Sequence, residues 1–273
     1  MAKNHTKLTQ VSLEQHHLNS RLLTDLPKLQ FKINVTPQRV FRYLLWIVIT
    51  LTVLSFIGKL NLYFLPDYPG RYDIAQIFDV DSENNIPTMY SSLSLLLCSI
   101  LLAIIAYLKK SVGNRYTRHW IALSIIFLYL SADEIMTLHE RTITPLRNQL
   151  NLKGIFYFAW VIPAGILLVI FLLAFFKFML HLPAKIRNLF IIAGSTYIAG
   201  GLGVEMLGGY YANLYGEENI FYEIIVTIEE CLEMLGIAIF LYALLSYLKL
   251  YIQQIRWDFN LTVNGKQIGE TPS

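Results

Sequence analysis

Six apolar stretches, each long enough to cross a lipid bilayer as a helix, constrain this chain more than any other feature. Such a helix needs about 20 mostly apolar residues. Only 15% of the 273 residues are charged, against about a quarter in an ordinary soluble domain. We therefore predict an all-α integral membrane protein whose 41–248 domain is a six-helix transmembrane bundle. The predicted spans lie near residues 41–60, 88–108, 119–141, 154–178, 188–210 and 220–248.

The positions of lysine and arginine predict how this bundle is oriented. Cytoplasmic loops of membrane proteins carry an excess of these residues. They are concentrated in segment 1–40, in the connections after the second and fourth spans, and in the tail 249–273, whereas the predicted outer loop 61–87 is acidic. Both termini are therefore predicted to be cytoplasmic. The third-to-fourth connection runs against this trend with three basic residues: Arg141, Arg147 and Lys153.

Ionisable residues lie inside three of the predicted spans, although an ionised carboxylate in hydrocarbon costs at least about 2.5–3.5 kcal/mol. They occur in "SADEIMTLHE" (131–140), "GLGVEMLGG" (201–209) and "IEECLEMLG" (228–236). At about 1.5 Å and 100° per residue, they fall in the outer half of the bilayer and on inward helix faces. We therefore predict one outward-facing acidic pocket, formed by Asp133, Glu134, His139, Glu140, Glu205, Glu229, Glu230 and Glu233.

Clustered carboxylates repel one another, so they persist if some are protonated or if a cation lies among them. The basic partners that these segments themselves offer are His139 and Arg141. Because carboxylates and hydroxyls are hard oxygen ligands, all eight residues are candidate ligands for Ca²⁺, Mg²⁺ or Mn²⁺, and bound protons are the alternative. In a third interpretation the acids are structural and accept hydrogen bonds from hydroxyls on neighbouring helices.

The acidic outer loop contains a second motif, "FDVDSENNIPT" (78–88). Asp79, Asp81 and Glu83 alternate in it as calcium ligands do. A calcium-binding EF-hand loop needs glycine at its sixth position and glutamate at its twelfth, but these positions hold Asn84 and Tyr90. We therefore predict that this loop caps the pocket or concentrates cations near it.

Four ordered motifs together resemble a family of prokaryotic multi-pass membrane proteins that is described only as uncharacterised. They are "FDVDSENNIPTMYSS", "LSADEIMTLHE", "GLGVEMLGG" and "IEECLEMLG", and the resemblance covers most of residues 75–245. It implies a six-helix bundle in the cytoplasmic membrane. It implies no activity and no functional residue.

Ion movement or ion-coupled transport through the acidic pocket is the predicted function, with the lipid bilayer and a cation or protons as partners. A metal-dependent integral-membrane enzyme and a non-catalytic assembly or sensor protein are the alternatives. The paired Glu-x-x-His motifs of di-iron bundles, the Walker loop and the G-x-S-x-G elbow are absent. No nucleic-acid partner is predicted, since the basic and aromatic patterns that bind nucleic acid are missing as well.

Overall fold

The computed structural model describes residues 36–82 and 84–254, together with 262–263 and 266–267. The predicted cytoplasmic segment 1–40 and the tail 249–273 therefore lie largely outside the described residues. From 36 to 254 the chain is all-helical. Its helices are α1 (Pro37–Phe64), α2 (Arg71–Phe78), α3 (Ile86–Ser111), α4 (Thr117–Met136), α5 (Glu140–Leu150), α6 (Val161–His181), α7 (Ala184–Ile198), α8 (Glu205–Tyr215) and α9 (Ile220–Gln254).

Four shorter elements complete the described part of the chain. A 3₁₀ turn at Gly154–Phe156 precedes α6, and a π-helix at Ala199–Val204 joins α7 to α8. Two short strands, β1 (Thr262–Val263) and β2 (Lys266–Gln267), pair antiparallel.

Five helical runs in the described residues are long and apolar enough to cross a membrane: α1, α3, α4, α6 and the continuous run Ala184–Tyr215. The chain is therefore a multi-pass membrane protein, as predicted. Helix α6 leaves much of its apolar surface uncovered, including Leu167, Leu173 and Phe176, as a lipid-facing helix does. The sixth predicted span, 220–248, lies within α9, which is not one of the five, so the count of six remains a prediction.

Local sequence signals explain where the first helices begin. Pro37 occupies the first turn of α1, where its missing N–H removes no helical hydrogen bond. Asn85 caps α3, because its side-chain oxygen accepts the Thr88 backbone N–H at 3.1 Å. The amide nitrogen of Asn85 also donates to the Gln76 carbonyl oxygen at 3.0 Å. This residue therefore ties the acidic loop to both α2 and α3.

Helices α3 and α4 form an antiparallel pair held by two reciprocal serine contacts. Ser92 Oγ donates to the Ser131 carbonyl at 2.8 Å, and Ser131 Oγ donates back to the Ser92 carbonyl at 2.9 Å. Ser99 and Ser124 repeat this exchange two turns away, at 2.7 and 2.9 Å. Small hydroxyl residues let helices approach closely in lipid and supply interhelical hydrogen bonds. The serines thus explain how two apolar helices find a fixed register.

Helix α9 is the centre of the bundle. It packs against α1, α3, α7 and the π-helix, and residues of its C-terminal half, such as Leu241 and Leu244, are fully buried. Aromatic rings fill the spaces between helices in this core. The Trp120 ring stacks on Tyr247 with centroids 5.0 Å apart and meets Phe178 edge-on, also at 5.0 Å. The apolar half of α9 therefore anchors it, while its acidic half lies beside α8 and the π-helix.

Candidate functional site

The third predicted span ends earlier than the sequence indicated, and the break reshapes the "DEIMTLHE" motif. Helix α4 stops at Met136 because Thr137 adopts a left-handed conformation with φ of 52°. One oxygen of the Asp133 carboxylate accepts the His139 backbone N–H at 3.1 Å, and the other lies 2.8 Å from His139 Nδ1. The third predicted span is therefore present as α4, but it ends at Met136 and not at residue 141. Asp133 holds the turn that follows it.

His139 connects this turn to the start of α6. Its ring lies 4.7 Å from the Trp160 ring, measured between centroids, and Trp160 Nε1 donates to Glu205 Oε1 at 2.8 Å. Glu205 is the first residue of α8. A chain of contacts thus runs from Asp133 through His139 and Trp160 to Glu205, and it joins three separate parts of the fold.

His139 lies beyond the end of α4 and outside the five membrane-spanning helices. Burial lowers its pKa, whereas the hydrogen bond and negative charge of Asp133 raise it, with a further contribution from the charges of Glu140 and Glu205. The pKa of His139 is raised overall above its ordinary value of 6.5. The Asp133–His139 pair therefore favours the imidazolium form.

The Glu205 carboxyl group also lies beside an acid on α9. This acid is Glu229, which is only 7% exposed and interacts with Glu205. An ionised carboxylate can only accept hydrogen bonds, so these two groups can bond to each other only when one of them carries a proton.

The π-helix brings a third acid against the same region. Glu233 interacts with the Tyr197 hydroxyl, and its side chain lies directly over Gly201. Gly200 lies so close to α9 that a β-carbon there would be 2.7 Å from the Glu229 carbonyl oxygen. π-Helical turns often occur at functional sites. Here the turn, built from small residues, allows α9 and its carboxylates to pack against the segment that precedes Glu205.

Two further acids, Glu134 and Glu230, interact with this group through their charges. The negative charge of Glu134 repels those of Glu230 and Glu233, and the charge of Glu205 repels the same two residues. We refer to the five glutamates as the carboxylate cluster: Glu134, Glu205, Glu229, Glu230 and Glu233. Glu140 is exposed at the first position of α5 and influences His139 through its charge. Asp133 and His139 adjoin the cluster through Trp160.

No group of three or more His, Cys, Asp or Glu side chains in the described residues is arranged to hold a metal ion. The eight-residue metal site proposed from the sequence therefore stays a prediction.

The two cysteines are not paired with each other; Cys98 is buried and Cys231 is half-buried.

A buried lysine on α1 is a basic partner that the sequence did not reveal. Lys59 is 4% exposed; its Nζ lies 3.1 Å from Asp79 Oδ1 and also forms an ion pair with Glu223. One lysine in the apolar run "SFIGKLNLY" was the available signal. The acidic loop, whose Glu83 lies outside the described residues, is thus joined at Asp79 to α1 and to the start of α9.

Trp160 is the second functional candidate that the sequence did not reveal. It stands in the aromatic run "FYFAW", where an indole N–H that needs a partner cannot be distinguished from a ring that merely packs. Its hydrogen bond to Glu205 depends on how α6 and α8 meet. This contact is tertiary and has no counterpart in local sequence spacing.

The match to known sequences is consistent with the resemblance of the four motifs. Residues 44–248 match a family model described as a domain of unknown function, DUF8692. No curated protein and no solved structure matches the chain.

Proposed function

The chain belongs to the DUF8692 family, whose description assigns no activity, and we propose from its own residues that it binds and moves protons through the carboxylate cluster. The proposed setting is the cytoplasmic membrane of a prokaryote, with six spans and both termini in the cytoplasm. The proposed process is ion movement or proton-coupled transport. The proximity of the Glu205 and Glu229 carboxyl groups carries this proposal.

The reason is the imbalance of charge around that pair. Within the described residues, the ion pairs involve Lys59, Arg71 and His139 as the basic partners, and none of these pairs includes Glu205, Glu229, Glu230 or Glu233. Several ionised carboxylates in a medium of low dielectric constant would repel one another strongly. Bound protons remove this repulsion without any further ligand.

The contacts also supply a path by which a proton could reach the pair. His139 exchanges protons near neutral pH and is held by Asp133 at 2.8 Å. Trp160 does not titrate, but it fixes one oxygen of Glu205 and leaves the other free to exchange a proton with Glu229. In this scheme His139 takes up the proton, a water molecule carries it past Trp160, Glu205 and Glu229 share it, and Glu233 beside Tyr197 receives it deeper along α9.

A divalent cation is the second candidate, favoured by the oxygen-rich composition of the same cluster. Five glutamates and the Tyr197 hydroxyl provide only hard ligands, which suit Ca²⁺, Mg²⁺ or Mn²⁺. A cation could also serve the metal-dependent enzyme considered above. Ligand binding to the folded state raises thermal stability by mass action, by about 2.7 kcal/mol at a hundredfold excess over the dissociation constant. A melting experiment therefore separates the two candidates.

The test uses the full-length protein reconstituted into vesicles that contain a pH-sensitive dye. With an imposed membrane potential, we expect proton entry for the wild type and loss of most of it for Glu229→Gln. Glu217→Gln, in the exposed connection before α9, is the matched control and should behave as the wild type. Equal proton flux in wild type, Glu229→Gln and empty vesicles would refute proton movement. Melting that rises with a divalent cation and falls with EDTA would favour the cation instead.

A further inference from the structure

A polar cavity lies apart from the carboxylate cluster, between the end of α5, the segment that follows it, and α8. Its volume is about 310 Å³, at the lower end of the roughly 300–1,000 Å³ that small-molecule sites occupy. Six side chains determine its chemistry: Arg147, Asn148, Asn151, Lys153, Tyr157 and Asn213.

The two charged groups of this cavity are both positive, and one of them, Arg147, is oriented by an aromatic ring. The Arg147 guanidinium carbon lies 4.2 Å from the centre of the Tyr157 ring, a cation–π contact that holds the plane of the guanidinium in place. Within the described residues, neither Arg147 nor Lys153 forms an ion pair with a carboxylate. Their positive charges are therefore not neutralised by the protein in this region.

The uncharged groups add further hydrogen-bond donors. Asn213 Oδ1 accepts the Gly154 backbone N–H at 3.2 Å, so its amide NH₂ group is left to donate. The Asn148 and Asn151 side chains can present their NH₂ groups in the same way. A cavity with two cations and several amide donors favours a ligand that is anionic and rich in acceptor oxygens.

The position of these two basic residues along the chain is also unusual. Arg147 and Lys153 belong to the connection that runs against the general distribution of lysine and arginine along the chain. Orientation in the membrane does not require them there, because the remaining basic residues already specify it. Their convergence on one cavity supplies a local reason for their presence.

From these observations we propose that the cavity binds a phosphate group. An arginine guanidinium forms two parallel hydrogen bonds with phosphate oxygens, and lysine adds a point charge. A soluble phosphate compound and the headgroup of a phospholipid present the same group, and the cavity is large enough to admit the part of either molecule next to it. This proposal is independent of the proton-binding function.

The experiment measures melting of the full-length protein in uncharged detergent against three additives. These are inorganic phosphate, water-soluble dihexanoyl phosphatidic acid, and sodium chloride at matched ionic strength. We expect a saturable rise in melting temperature with at least one phosphate compound and none with sodium chloride. Arg147→Gln and Lys153→Gln should each weaken the apparent affinity about tenfold or more, as expected for loss of a charge-assisted hydrogen bond.

Arg141→Gln is the matched control, since Arg141 is an exposed arginine of the same connection that does not line the cavity. It should keep the wild-type affinity. A response to inorganic phosphate indicates a soluble source, and a response to phosphatidic acid alone indicates a lipid headgroup. The proposal is overturned if neither compound exceeds sodium chloride, or if Arg141→Gln weakens binding as much as the two cavity variants.

Discussion

Asp133 shows how a single residue can serve the fold and a site at once. Its carboxylate accepts the His139 backbone N–H and contacts the His139 ring, so it stabilises the turn after α4. The same contact favours the charged imidazolium, because the pKa of His139 is raised overall. The stability of the turn and the charge of His139 therefore depend on the same contact.

A dependence of stability on pH follows from this pair. A group whose pKa is raised by folding contributes stability that is complete below its unfolded pKa, about 6.5 for histidine, and is lost as the pH rises through the folded value. His139→Gln keeps a donor near Asp133 but cannot become charged. We expect the free energy of unfolding of the wild type to exceed that of this variant by about 1.5–3 kcal/mol at low pH and by less at alkaline pH. Thermal melting across pH measures this, and a difference that is constant from acid to alkaline pH contradicts it.

Trp160→Phe tests the next contact along the chain. The substitution keeps a ring beside His139 and removes the indole N–H that donates to Glu205 at 2.8 Å. We expect a loss of about 1.5–3 kcal/mol of folding free energy, typical of a hydrogen bond to a charged group, together with a lower proton flux in vesicles. Trp46→Phe is the control, since Trp46 is 66% exposed on α1. Equal melting temperatures and fluxes for the two variants would show that the indole N–H has no role.

At the scale of elements, the glycines of the π-helix allow α9 to pack closely against the segment before Glu205. A methyl group at Gly200 would lie 2.7 Å from the backbone carbonyl oxygen of Glu229, which cannot rotate away, whereas one at Gly203 meets nothing closer than 3.9 Å. We expect Gly200→Ala to destabilise the protein by about 1–3 kcal/mol, the usual cost of overpacking, and to reduce proton flux. Gly203→Ala lies in the same π-helix and should leave both unchanged. If the two alanine variants melt together, close packing over Gly200 is not required.

The same elements show which structural features could be predicted from the sequence. The membrane-spanning helices could be predicted, because long apolar runs identify them whatever their partners. The end of α4 at Met136 could not be predicted, since "DEIMTLHE" contains no glycine or proline and the turn depends on a left-handed threonine. Helix geometry was also sufficient to predict that the acids of three segments lie near one another. The contacts of Lys59 and Trp160 could not be predicted, because they form only when distant segments meet.

At the scale of the whole molecule, the number of membrane crossings depends on α9. This helix has 35 residues, or about 52 Å at 1.5 Å per residue, which exceeds the roughly 30 Å of the hydrocarbon core. It packs against α1, α3 and α7, all of which belong to runs that can span a membrane. A helix in the middle of such a bundle must follow the same direction. We therefore expect α9 to be the sixth span and to return the chain to the cytoplasm.

Labelling of single cysteines with a membrane-impermeant maleimide in intact cells tests this topology. Cys98 and Cys231 are first replaced by alanine, and new cysteines are placed at positions that avoid Gly70 and Gly216, because both of these have a positive φ that only glycine tolerates well. Pro69→Cys and Glu217→Cys should react from outside. Val112→Cys, Ala184→Cys and Ser273→Cys should react only after the cells are opened. The last position is decisive for α9, since a chain with five crossings would place Ser273→Cys outside, where it would be labelled in intact cells.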